Sequence, residues 1–286
     1  MKVKKITSVI LAGLFIIICA SLIKDLTSNK EPFHLSFSDD KSVYGFVDKI
    51  KARFDFSDYI YGGIVSHHLL AAVDIASFYA SLAKQKVQAV ILIGPNHEGQ
   101  GRESLAISGL DFQTPWGQLE TDQNIVEALV GEGVVKIDEA AFLGEHSISA
   151  EAPYIKYYLP EARLVPIVLK RSVTKDNLLK LANALLKVTD SKTVVIASVD
   201  FSHHTNKDLA EQNDQKSIAT ISRSAYDSLF TLNIDSPNTI FVLLKYLDGI
   251  GAKRLDYWQQ NAATILNSPD YTDVTSYLFA TFRKTI

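Results

Sequence analysis

The stretch Val87-Gln88-Ala89-Val90-Ile91-Leu92-Ile93-Gly94-Pro95-Asn96-His97 decides the fold. Its first seven residues are almost uninterrupted apolar side chains rich in branching at Cβ, the mark of a strand buried on both faces. Gly94-Pro95-Asn96 is a turn, so the strand ends by delivering His97 at its carboxyl edge. Reading outward, residues 62–65 form a second strand that runs into Ser66-His67. Residues 162–169 and 193–198 read as further buried strands, and 276–282 as a C-terminal one. Between them lie helical patterns at 69–84, 122–131, 177–188, 209–229 and 239–247. Residues 41–58 are also helical in pattern, with Val43, Phe46, Val47 and Ile50 on one face. Strands alternating with helices predict a single-domain α/β sandwich, its central sheet flanked by helices on both faces. That domain spans 41–286, without an internal repeat or break in composition, and 26–40 reads as a polar linker.

The N-terminus reads differently. Lys2, Lys4 and Lys5 precede an uncharged run from 6 to 23, closed by Lys24 and Asp25. A run of that length sits at the lower limit for a membrane span, roughly 17–25 residues. The basic flank before it predicts an inside N-terminus and an extracytoplasmic body. Residues 1–25 are therefore expected to be a hydrophobic anchor helix in the cell membrane, or else a signal cleaved near Ala20. With 286 residues and a net charge of −3, the chain has no basic excess of the kind that phosphate backbones attract, which argues against nucleic acid as a partner. The single cysteine, Cys19, lies in the apolar run, so a metal held by the domain has to use histidine, carboxylate, amide or water ligands. Oligomeric state and the identity of a small-molecule ligand cannot be read from these features.

Apart from His34, the histidines fall in four short segments: His67-His68, His97, His146 and His203-His204. Three of these follow a predicted buried strand, where ligands of open α/β sheets collect. The fourth, Gly144-Glu145-His146-Ser147, precedes a helix that carries Glu151. G-x-S-x-G, P-loop, G-x-G-x-x-G and H-E-x-x-H patterns are all missing from the sequence.

Taken in order, the strand ending at His67, I-L-I-G-P-N-H at 91–97, E-H-S at 145–147 and S-V-D-F-S-H at 198–203 resemble the Memo family. Thr114-Pro115-Trp116-Gly117 with Asp122, Val165-Pro166-Ile167 and Val274-Thr275-Ser276-Tyr277 extend the resemblance over about 60–282. The resemblance implies the fold of class III extradiol dioxygenases, whose site holds nonhaem iron. It puts His67 and His97 at metal-ligand positions and His203 at an acid–base or substrate-contact position. Many proteins of that family carry a cysteine where this chain has Asp235, in Asp235-Ser236-Pro237-Asn238. Two histidines and a carboxylate with open positions make the ligand set of nonhaem Fe(II) oxygenases. Iron is thus the expected divalent metal, with copper, zinc and manganese as alternatives.

Each residue also has a plainer reading. In an extended segment only one of His67 and His68 can face a pocket. His146 either couples with Glu145 to orient a ligand, as a catalytic-type residue, or sits beside a helix capped by Ser147 or Ser149. Asp200 and His203 form an acid–base arm, the carboxylate fixing the ring's tautomer, or Asp200 is a loop residue bonded to its own backbone. Asp235 is a metal ligand or the cap of a helix opened by Pro237. Tyr277 and Trp116 line a cavity or belong to core and rim. Three functions stay open: a dioxygenase-type metalloenzyme, a metal- or ligand-binding module without catalysis, and a metal-assisted hydrolase.

Overall fold

A computed structural model describes residues 33–284 apart from 46 and 269. Its early strands are β1 (Phe33–Leu35), β2 (Ile60–Val65), β3 (Ala89–Pro95), β4 (Leu105–Ile107), β5 (Asp111–Thr114) and β6 (Gly117–Leu119). They are followed by β7 (Lys136–Ile137), β8 (Arg163–Leu169), β9 (Thr193–Ser198), β10 (Arg254–Asn261) and β11 (Ser276–Arg283). The helices are α1 (Ala72–Leu82), α2 (Gln123–Gly131), α3 (His146–Ser149), α4 (Ala152–Tyr158) and α5 (Lys175–Val188). After them come α6 (Lys207–Ser222), α7 (Tyr226–Leu229), α8 (Pro237–Ile250) and α9 (Ala262–Ile265).

The main sheet runs β10-β11-β2-β9-β3-β8-β4-β7. Its centre, β2-β9-β3-β8, is parallel, so the carboxyl ends of these strands share one edge. Strand β3 is buried along its whole length, as its apolar run predicts. Alternation sorts its side chains: Ile91 and Ile93 join a core with α2, α5, α6 and α8, while Val90 and Leu92 join one with α1 and α4. Helices thus cover both faces, as expected for an α/β fold. A separate three-stranded sheet, β1-β5-β6, lies outside the sequence expectation.

Four differences from that expectation have identifiable causes. The helix expected at 41–58 is reduced to short 3₁₀ turns, Lys41–Tyr44 and Val47–Lys49. Gly45 separates them in a left-handed conformation (φ 76°) that a helix cannot contain. The helix expected over 209–229 is divided into α6 and α7, with Ser224 left-handed between them (φ 48°). Residues 33–35, expected within a linker, pair in parallel with β5. The expected membrane address is corrected, because no helix among the described residues is long and apolar enough to cross a membrane. Even α6, with 16 residues, carries Asp208, Glu211, Asp214 and Lys216, and at about 1.5 Å rise per residue falls short of a hydrocarbon core of ~30 Å. The anchor helix expected at 1–25 lies outside the described residues.

Candidate metal centre

The carboxyl edge of β2, β9 and β3 is where the chemistry gathers. His67 lies two residues beyond β2 and is 2% exposed, whereas His68 is exposed and turns its Nδ1 to the Tyr277 hydroxyl (2.7 Å). His97 follows β3 by two residues, and Asp200 follows β9 by two. Asp235 precedes α8, but it does not cap that helix. Ser236 does, its hydroxyl accepting from Thr239 N. Asp235 Oδ2 instead accepts from the Asp200 backbone N–H (3.1 Å), and Asp235 N–H donates to the Asp200 carbonyl (3.1 Å). These reciprocal bonds hold the carboxylate against the strand ends.

Hydrogen bonding fixes both imidazoles. Ser198 Oγ donates its only proton to the Ser147 carbonyl (2.7 Å), so toward His67 Nδ1 (2.9 Å) it can only accept. His67 Nδ1 therefore carries hydrogen, and in the neutral ring Nε2 presents a lone pair. Glu145 does the same for His97: Oε1 accepts from Nδ1 (2.8 Å) while Oε2 accepts from the His97 backbone N–H (2.7 Å). Both Nε2 atoms face a single oxygen, Asp235 Oδ2, at 3.3 Å from His67 and 3.6 Å from His97. Asp200 Oδ2 is 3.5 Å from His67 Nε2, and the other oxygen of Asp200 accepts from Ser66 Oγ.

Ring nitrogens this close to a carboxylate call for a cation between them, a proton on the imidazole in the metal-free protein or a metal ion in its place. Burial works against charge on His67, yet Asp200 and Asp235 outweigh it and hold its pKa up at about 9. Burial is likewise overcome at His97 by Asp235 and Glu145, which raise it to about 10. Glu145, despite its burial, is drawn down to about 2 by His97 and the Ser147 amide. Asp235 is lowered too, its two histidine partners outweighing burial, and its Oδ1 is buried without a hydrogen-bond partner. That orphaned oxygen and the two pinned Nε2 atoms fit a metal ion, whose ligands must be deprotonated and oriented by their neighbours. His67, Asp200 and Asp235 lie close enough to share an ion, and so do His67, His97 and His146.

His146 stacks on His97, with centroids 4.2 Å apart, and meets His67 edge-on at 5.0 Å. Burial and the neighbouring His67 and His97 depress its pKa to about 4, which keeps it neutral. The expected Glu145–His146 couple is not the dominant one, since Glu145 Oε1 lies 3.8 Å from His146 Nδ1 and 2.8 Å from His97 Nδ1. Glu145 itself caps α3 by accepting from Ser147 N–H, in place of the expected serine caps. Asp200 turns to Ser66 and His67, while His203 Nδ1 faces Thr275 Oγ1 (3.4 Å) and its buried Nε2 has no partner. Trp116 packs on Tyr44 and Tyr157 in the second core.

Sequence reading missed Ser198, the polar end of an apolar strand, and the role of Glu145 toward His97. It also missed the pair behind them: Glu151 is fully buried, accepts from the Tyr79 hydroxyl, and burial pushes its pKa up to about 8. His97 and Asp235 open onto a cavity of ≈340 Å³ that Pro95, Leu169, Arg171 and Asn238 also line.

Known proteins resemble this chain over most of the described domain. A family model described as Memo-like protein matches residues 59–280. A MEMO1 family protein of Caldivirga maquilingensis is 30% identical over 235 residues, 78% of this chain and 77% of that one. One from Saccharolobus solfataricus is 32% identical over 178 residues, 60% of each chain. The crystal structure of an uncharacterized protein, JW3007, from Escherichia coli K12 superposes with a TM-score of 0.52. At 12% identity, over 77% of this chain and 99% of that one, it speaks for the fold alone.

Proposed function

The chain belongs to the Memo-like protein family, and from that premise we propose that its strand-end pocket holds one divalent metal ion, iron first, for a dioxygenase-type reaction. The observation that carries this reading is the pair of pinned imidazoles, both offering Nε2 to Asp235 Oδ2 at 3.3 and 3.6 Å. His67, His97 and Asp235 would hold the ion, the two-histidine, one-carboxylate set of nonhaem Fe(II) sites. Bound there, it supplies Lewis acidity, electron transfer and open coordination positions.

The protein's own groups do the rest. Ser198 and Glu145 keep hydrogen on Nδ1 of the two histidines, leaving Nε2 free. Asp200 adds negative charge beside His67 and steadies the loop through its backbone bonds with Asp235. His203, with an unpartnered buried Nε2 and a pKa lowered chiefly by burial, is suited to take up a proton there and return it. His146, held neutral and stacked on His97, offers an uncharged ring nitrogen beside the two histidines.

The trio of His67, His97 and His146 supports a second reading, Lewis-acid activation of water in a hydrolase. A third, metal holding without catalysis, shares the same ligands. The test is metal content after separate reconstitution with iron, zinc, copper and manganese. Wild type should retain about one ion per chain, and His67→Ala, His97→Ala and Asp235→Asn should each bind it at least ~100-fold more weakly. Wild-type protein that retains no ion, or variants that bind as tightly, would overturn the metal reading. Iron-loaded protein that takes up no dioxygen with catechol-type substrates would remove the oxidative part. Turnover without oxygen that is lost in His146→Ala would favour the hydrolase.

A further inference from the structure

The cavity beside the metal residues has a feature that metal binding does not use. Arg171 lies two residues past β8, on the same carboxyl edge as His97, and lines that cavity together with His97 and Asp235. Its neighbour Lys170 is committed, donating from Nζ to the Gly101 carbonyl (2.8 Å). Arg171 is held only by its backbone, whose carbonyl accepts from Asn238 Nδ2 (3.3 Å). Its side chain is exposed and enters no ion pair or hydrogen bond among the described residues. An uncommitted guanidinium sharing a cavity with Asp235 would be expected to pair with it. Asp235 is instead turned inward to the histidines.

Resting on the metal reading above, we propose that Arg171 selects the ligand of this pocket, which is a small organic molecule carrying a carboxylate. The planar fork of a guanidinium matches a carboxylate in a two-point contact. The walls contributed by Pro95, Leu169 and Pro237 suit an apolar body between that carboxylate and the metal residues. A volume of ≈340 Å³ is near the small end of ligand pockets, which run roughly 300–1,000 Å³, and fits one ring or a short chain. The N-terminal end of α8, a helix of 14 residues, lines the same cavity at Ser236, Pro237 and Asn238 and adds favourable potential for an anion. A single guanidinium balances one negative charge, and Asp235 shares the cavity, which favours a carboxylate over a doubly charged phosphate.

The test titrates catechol, 3,4-dihydroxybenzoate and inorganic phosphate by calorimetry under anaerobic conditions. It uses wild type and Arg171→Gln, each with and without iron, and metal content is measured on the same samples. Dihydroxybenzoate should bind wild type at least tenfold more tightly than catechol. Arg171→Gln should abolish that margin while its iron content equals that of wild type. Equal affinity for the two phenols in wild type, a margin that survives in Arg171→Gln, or phosphate displacing dihydroxybenzoate at equal concentration would overturn the proposal. Failure to retain iron with the margin intact strikes the metal reading alone. Iron retained without the margin strikes this inference alone.

Discussion

At the scale of single residues, the centre depends on which nitrogen of each ring is left bare. Glu145 decides this for His97 and spends both oxygens doing so: Oε1 on Nδ1 and the Ser147 amide, Oε2 on the His97 amide. Glu145→Gln offers one oxygen where two are needed, and turns an NH₂ against a donor. Either the ring loses its fixed tautomer or a buried amide loses its acceptor, at a cost of about 1–3 kcal/mol. Metal affinity should fall about 10–100-fold, read by competition against a chelator of known strength. An unchanged affinity would mean that His97 is positioned by something other than this carboxylate. Sequence adjacency pointed Glu145 at His146, because neighbours in the chain are all a sequence displays. The pairing with His97 exists only once β3 and α3 are packed together.

At the scale of elements, that packing relies on Gly94. A Cβ there would lie 2.6 Å from Ser147 Cβ, so only glycine lets the first turn of α3 rest on β3, with Ser147 Oγ donating to the Pro95 carbonyl (2.8 Å). Gly94→Ala should destabilise the protein by about 1–3 kcal/mol through overpacking. It should also weaken metal binding, because Glu145 rides on the same turn. Thermal unfolding of metal-free protein and chelator competition read the two effects. Loss of stability with metal affinity intact would show that α3 does not position the site. The strands bearing His67, His97 and Asp200 were legible because continuous apolar runs declare buried parallel strands, and a polar residue just past each run has to lie at the sheet edge. The three-residue strands β1, β4 and β6 were not, since so short a segment shows no period and is fixed by its partners. Asp235 was ambiguous for a different reason. Asp-Ser-Pro offers two capping side chains, and tertiary contacts with Asp200 N–H decide which one caps.

At the scale of the whole molecule, the site draws negative charge into the interior, and Glu151 shows how the fold limits it. Fully buried beneath the centre, Glu151 receives the Tyr79 hydroxyl bond and leaves Oε1 without a partner. Burial raises its pKa to about 8, against about 4.3 in an unfolded chain. Between those values the folded protein holds a proton that the unfolded chain has released. Its contribution is therefore complete below the unfolded pKa and is lost as pH rises toward 8. His67 and His97, raised to about 9 and 10, add a loss of the same sign that begins above the ordinary histidine value near 6.5. Only a comparison of variants separates the two. Glu151→Gln imitates the protonated acid and can still accept from Tyr79. In metal-free protein it should match wild type near pH 4, remain flatter as pH rises, and be more stable by at least ~2 kcal/mol at pH 8. Each pH unit crossed is worth about 1.4 kcal/mol. Denaturant unfolding at a series of pH values reads this directly. Parallel curves for the two proteins would mean that Glu151 is ionised in the folded state and that the centre carries one more negative charge than this arrangement assigns to it.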